Sequence, residues 1–241
     1  MKLIQKIITF LCLLVCFSCN DNSTYFGTAQ YQAYHLINTY VDTNAPQLRS
    51  SFDIGEIFRI DIEFNSDNAD LYYSKEFADV SKKNQSEEQL RKFINLANKN
   101  NDILQWEPWY ETFGGSQKKQ TYHTGGTFYA LTKGIRQIEI VSDADFDEKH
   151  PAGVSLIDYV TLTIDTYSDL MGATSLPNDV IYDTRQTKAH KEYTAEELSV
   201  VGTWWILKLA ASPTLSKKHN LTVTITFDDG EVFTDTVEVN F

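Results

Sequence analysis

"LTVTITFDDGEVFTDTVEVNF", residues 221–241, carries the pattern from which the fold can be read. Leu221, Val223, Ile225 and Phe227 alternate with Thr222, Thr224 and Thr226, the period-two signature of a strand with one buried face. After Asp228-Asp229-Gly230, a second run sets Phe233, Val237, Val239 and Phe241 on one face. The two apolar rows decide the loop length. A two-residue Asp229-Gly230 loop pairs Phe227 with Val232 and sends the rows to opposite faces. A three-residue loop pairs Phe227 with Glu231 and Ile225 with Phe233. That brings both rows to one face and gives Gly230 the left-handed position of a bulge. Asp235 then falls on the inward row, opposite Val223. Such a hairpin needs a second layer to cover its apolar face.

Candidates for that layer lie upstream. In residues 57–64, Phe58, Ile60, Ile62 and Phe64 point one way and Arg59, Asp61 and Glu63 the other. Residues 159–165 repeat the pattern with Val160, Leu162 and Ile164 inward. Residues 135–141, 204–210 and 33–41 are further strands. Two helical segments interrupt them. Ser86 and Gln89 have the spacing of a capping box, followed by an apolar stripe of Leu90, Phe93, Ile94 and Ala97. Thr194 and Glu197 repeat the cap for a turn or two. Strands dominate and helices do not alternate with them, which predicts a mostly-β protein, an antiparallel β-sandwich. One domain over residues 31–241 is expected, with an insertion at about 67–127 that holds the Ser86 helix. A division into two domains near residue 130 is the alternative.

The N-terminus gives an address. Lys2 and Lys6 precede an apolar run over residues 7–17. That run is shorter than the roughly 20 residues of a spanning helix, and it has the form of an export signal. All three cysteines, Cys12, Cys16 and Cys19, fall within this region, and Ser18 supplies the small residue before a cut. "CFSC", residues 16–19, resembles the lipobox of bacterial lipoproteins. The resemblance implies removal of residues 1–18, acyl chains on Cys19, and a flexible tether over residues 19–30. A secreted protein cut near Ser18 is the other reading. Processing at Cys19 leaves no pair of thiols for a disulfide or a thiolate metal site. Each buried CH₂ of an acyl chain contributes about 0.8 kcal/mol, so two or more chains hold a protein stably in a membrane.

Residues 138–160 and 221–233 are also similar to uncharacterised lipoproteins of gut-type Bacteroidetes. That similarity implies an immunoglobulin-like sandwich and an outer-membrane location, and it carries over no site residues. The formal charge of −12 opposes nucleic-acid binding.

Two stretches are candidate sites. In residues 142–153, Asp143, Asp145 and Asp147 recur at alternate positions and Glu148 follows. Alternate carboxylates can converge on Ca²⁺ where the chain bends, or they can form a solvated acidic turn shaped by Pro151 and Gly153. The EF-hand pattern is absent, since Glu148 and Val154 occupy the positions that need Gly and Glu. In residues 105–117, Trp106, Trp109 and Tyr110 crowd beside Glu107 and Glu111. Flat aromatics beside carboxylates suit a carbohydrate face, but large aromatics mostly bury, which favours a satellite core under the Ser86 helix. The five histidines have no metal-ligand spacing, and there is no nucleophile elbow or phosphate loop. The expectation is therefore a non-catalytic protein of the cell envelope. It is held to the membrane by its N-terminal lipid, and it binds a glycan or a protein. A structural or adhesive subunit and a polysaccharide-active enzyme are the alternatives.

Overall fold

The computed structural model of the chain describes residues 32–44, 46–52, 57–64, 69–102, 104–106, 110–113, 116–119, 128–172 and 184–241. The export signal, Cys19, the tether to residue 30 and Trp109 lie outside the described residues. The chain folds as two compact units, Met1–Gln32 with Trp106–Tyr122, and Ala33–Gln105 with His123–Phe241. In the first, β7 (Tyr110–Phe113) and β8 (Ser116–Lys119) form an antiparallel hairpin that pairs Tyr110 with Lys119. Strands β1 (Gln32–Tyr34) and β6 (Leu104–Trp106) lie where the chain passes from one unit to the other.

The second unit is a β-sandwich. One sheet has five antiparallel strands in the order β12 (Arg185–Ala189), β11 (Val160–Asp165), β13 (Trp204–Leu209), β4 (Phe58–Glu63) and β3 (Gln47–Phe52). The other has three, β10 (Ile135–Ser142), β14 (Lys218–Phe227) and β15 (Val232–Asn240). The alternating rows meet between them. Ile60, Ile62, Leu162, Ile164, Trp205 and Leu207 form one continuous core with Ile138, Ile140, Leu221, Val223, Ile225 and Phe227. Phe64 touches both layers, with its ring 4.9 Å from Trp205 and 6.2 Å from Phe227. Each such side chain contributes about 1.5–3 kcal/mol on burial, and the core contains no disulfide.

The C-terminal hairpin has the three-residue loop that its rows require. Ile225 pairs with Phe233 and Val223 with Asp235, the Phe227 N–H donates to the Glu231 carbonyl at 2.9 Å, and Gly230 has φ +89°. Asp235 lies on the apolar row but is exposed, because β15 is an edge strand whose row is buried at Val237 and Val239 and only half-buried at Phe233. In β10 the inward residues Ile135 and Ile138 are three apart, which breaks strict alternation. A bulge between Ile135 and Gln137 absorbs the extra residue and keeps both side chains inside.

A third, smaller sheet, β5 (Leu71–Tyr73), β2 (Thr39–Val41) and β9 (Tyr129–Leu131), carries the helices. Helix α1 (Lys75–Ser81) starts at Ser74, whose hydroxyl accepts the Phe77 N–H at 3.1 Å. Helix α2 (Glu87–Lys99) has the expected capping box, with Ser86 and Gln89 bonding each other's backbone at 2.8 and 3.2 Å. Its stripe is narrower than the sequence predicts. Phe93 and Ala97 are buried, and Ile94 on the flank is exposed. Phe93 packs against His35 and Tyr40. The single strand expected over residues 33–41 is broken, because the Asp102 carboxylate accepts the N–H groups of Leu36 and Ile37 at 2.8 and 3.2 Å. Those two donors leave the ladder. The Thr194 segment is one hydrogen-bonded turn, closed by Glu197. Among the described residues no helix is long and apolar enough to cross a membrane.

Candidate functional site

The inward rows of the five-stranded sheet fix what its outer face displays. Because Phe58, Ile60 and Ile62 point into the core, Arg59, Asp61 and Glu63 of β4 point out. Register places Arg49 of β3 opposite Asp61 and Ser51 opposite Arg59. On the other side, Trp204 of β13 stands opposite Glu63 and Lys208 opposite Arg59. Arg49, Ser51, Arg59, Asp61, Glu63 and Trp204 line an open cleft of about 450 Å³. Strand β4 is its floor, β3 one wall and Trp204 the other.

Trp204 is 42% exposed while its neighbour Trp205 is 0% exposed. The Trp204 indole is held from two sides. Its Nε1–H donates to Asp61 Oδ1 at 3.3 Å. The Arg185 guanidinium stacks 4.3 Å from its ring centre, a contact of about 0.5–1 kcal/mol at an exposed site. Arg185 is in turn held by Asp165 at 2.8 Å. It backs the indole and does not line the cleft, so the rest of Trp204 faces the open space. Asp61 is fully engaged. Arg59 Nε donates to Oδ2 at 2.8 Å, and Arg59 Nη2 donates to Oδ1 at 2.5 Å. Gly202 supports this end of the site. Its N–H donates to the Asp165 carbonyl at 2.8 Å, and a Cβ there would stand 2.9 Å from the Asp165 Cβ, closer than side chains pack.

No protein-family model, curated protein or solved structure matches this chain.

The sequence-predicted acidic residues do not line this cleft, and their run is not drawn together. Asp143 accepts from the Asn220 N–H and side-chain amide at 2.7 and 2.6 Å, and Asp145 accepts from the Ala152 N–H at 2.9 Å. Asp147 Oδ1 accepts from the N–H groups of Lys149 and His150, both at 2.8 Å. Its Oδ2 accepts from the Tyr159 hydroxyl at 2.9 Å. Desolvation works to raise the Asp147 carboxyl, but the bonds from His150, Tyr159 and the two backbone donors outweigh it and hold it down to about 2. Glu148 is exposed. Among the described residues no group of three or more His, Cys, Asp or Glu side chains is placed to hold a metal ion. Of the aromatic candidates, Trp106 ends β6 and Tyr110 opens β7.

His219, one of the scattered histidines, is a core residue. Its Nδ1 lies 2.7 Å from the Ser142 hydroxyl and its Nε2 2.9 Å from the Ser216 carbonyl. Two features carried signals that the sequence pattern left unread. Trp204 occupies the row opposite to Trp205, Leu207 and Leu209, so strand alternation alone puts it outside. Ser74 stands at an N-cap for α1.

Proposed function

We propose that this protein is a non-catalytic, lipid-anchored component of the cell envelope that binds a glycan on the outer face of its five-stranded sheet. The supporting observation is the cleft beside Trp204, where an exposed aromatic wall stands over a floor of charged hydrogen-bonding groups on a stiff sheet. Sugar rings offer C–H faces that stack on indoles, and their hydroxyls pair with carboxylates and guanidinium groups. The bidentate Arg59–Asp61 pair favours holding over proton transfer, since both Asp61 oxygens already accept bonds. Removal of residues 1–18 and acylation of Cys19 at the outer membrane complete the reading, on the strength of the lipobox-like "CFSC".

A glycan array probed with the full chain in detergent, beside Trp204→Ala, tests the reading. The expected result is retention on a set of glycans that the variant loses while its melting temperature stays close to the parent's. Retention unchanged in the variant, or no retention by either protein, overturns it. Intact mass of the protein isolated from its native envelope tests the anchor. A species that still begins upstream of Cys19 and carries no acyl chain overturns that part.

A further inference from the structure

The charge on the cleft face runs against the charge of the chain. The sequence has 21 basic and 33 acidic residues, a formal −12. Only five of the basic residues are arginines, at positions 49, 59, 91, 136 and 185. Three of those five, Arg49, Arg59 and Arg185, stand on the outer rows of one sheet, and Lys208 joins them opposite Arg59. The acids on the same rows are Asp61, Glu63 and Asp165. Among the described residues these strand rows carry four cations against three anions, in a chain whose anions outnumber its cations by twelve.

The pairings single out one arginine of the cleft. Arg59 is committed to Asp61, and Arg185 to Asp165. Arg49 has a different partner. Its Nη2 donates to the neutral Gln47 side chain at 3.1 Å, and among the described residues no carboxylate pairs with it. It is exposed on the wall that faces Trp204 across the cleft. A guanidinium in that position presents a planar fork of donors suited to a carboxylate.

We infer that the ligand of this cleft is an acidic glycan whose sugar carboxylates engage Arg49. The inference rests on the glycan-binding reading above and narrows it to uronate-type sugars. A ring seated against Trp204 directs its carboxylate to Arg49 on the opposite wall. Its hydroxyls meet Glu63, and the Arg59–Asp61 pair holds the floor in register. Glu63 accepts hydroxyl donors and repels a carboxylate placed on the Trp204 side, so it orients the sugar as well as binding it.

Binding of the full chain in detergent to polygalacturonate, alginate and hyaluronate, each beside its fully methyl-esterified form, tests the inference. Esterification removes the charge and leaves the backbone. At least one acid form is expected to bind about tenfold more tightly than its ester, the size of one charge-assisted contact. That ratio should fall as NaCl rises from about 0.05 to about 0.5 M. Arg49→Gln should bring the ratio close to 1, while Trp204→Ala should weaken both forms. Esters that bind as well as the acids, or a ratio that survives Arg49→Gln, overturn the inference and leave the broader glycan reading standing. Loss of every acidic form with neutral glycans retained has the same meaning. Failure of all glycans overturns both.

Discussion

Trp204 and Trp205 are adjacent in the chain and belong to opposite faces of one sheet, the first 42% exposed and the second 0% exposed. The pleat of β13 makes this division, and it separates a packing role from a surface role within one dipeptide. Trp205 lies under Phe64, and its Nε1–H donates to the Gly202 carbonyl at 2.6 Å. Trp205→Ala should cost about 3–5 kcal/mol. Trp204→Ala should cost about 1 kcal/mol or less, since it removes one cation–π contact and one long hydrogen bond. Urea unfolding of the two variants checks this, and equal losses would contradict the assignment of the faces.

The Asp102 carboxylate is buried at the end of α2, where it accepts from the Leu36 and Ile37 N–H groups and the Tyr40 hydroxyl. Burial pushes its carboxyl up from 3.8 to about 6, against the pull of those donors and of His35. A carboxyl that is raised on folding binds its proton more tightly in the folded state. The stability this proton brings is complete below 3.8 and is lost as pH rises through about 6. Asp102→Asn removes the titration. The stability difference, parent minus variant, should therefore fall between about pH 4 and pH 7 and level off above that. Taking a difference cancels the opposite trend from Asp147. Unfolding curves across that range check it, and a difference that is flat or rises with pH would count against it.

The acidic run offers a contrast in sign. Asp147 is held down to about 2, so its contribution is present above the ordinary carboxylate range and is lost as pH falls through about 2. Its oxygens, like those of Asp143 and Asp145, already accept hydrogen bonds from the loop they shape. Millimolar Ca²⁺ should therefore leave the melting temperature unchanged, whereas Asp147→Ala should lower it. Thermal melts with and without about 5 mM Ca²⁺ decide the matter, since a specific site would raise the melting point in proportion to its occupancy. A clear rise that Asp147→Ala abolishes would establish the metal site instead.

The parts of this fold that could be read in advance are those where a local pattern is also a global instruction. The rows in β4, β11 and β14 needed a partner layer and have one, and the loop at Gly230 followed from aligning two rows. What escaped was short or non-local. Helix α1 spans seven residues, too few for a helical period to register. Strands β2, β5 and β9 have three residues each, too few for a period-two pattern to register. The break within residues 33–41 depends on Asp102, more than sixty positions away. The cleft was hidden for the same reason. Arg49, Asp61 and Trp204 come from three strands, and only sheet register brings them together.

The C-terminal hairpin supplies the most local test of register. Gly230 has φ +89°, and a Cβ added there would meet nothing within 4 Å, so any penalty for a larger residue comes from the backbone alone. An L-residue in the left-handed region costs about 1–2 kcal/mol, and Asn pays less because its short side chain bonds locally. Gly230→Ala should lower stability by about that amount, and Gly230→Asn by less. Shortening the loop is a milder change. Deleting Asp229 leaves Asp228 and Gly230 as a two-residue loop between Phe227 and Glu231, which keeps Ile225 opposite Phe233 and Val237 and Val239 inward. That variant should lose no more stability than Gly230→Ala, and its chain should bind no more of a hydrophobic dye than the parent. Urea midpoints for the three variants check the order. An alanine variant as stable as the parent would mean that the left-handed turn does not set the register, and that the apolar rows alone hold it.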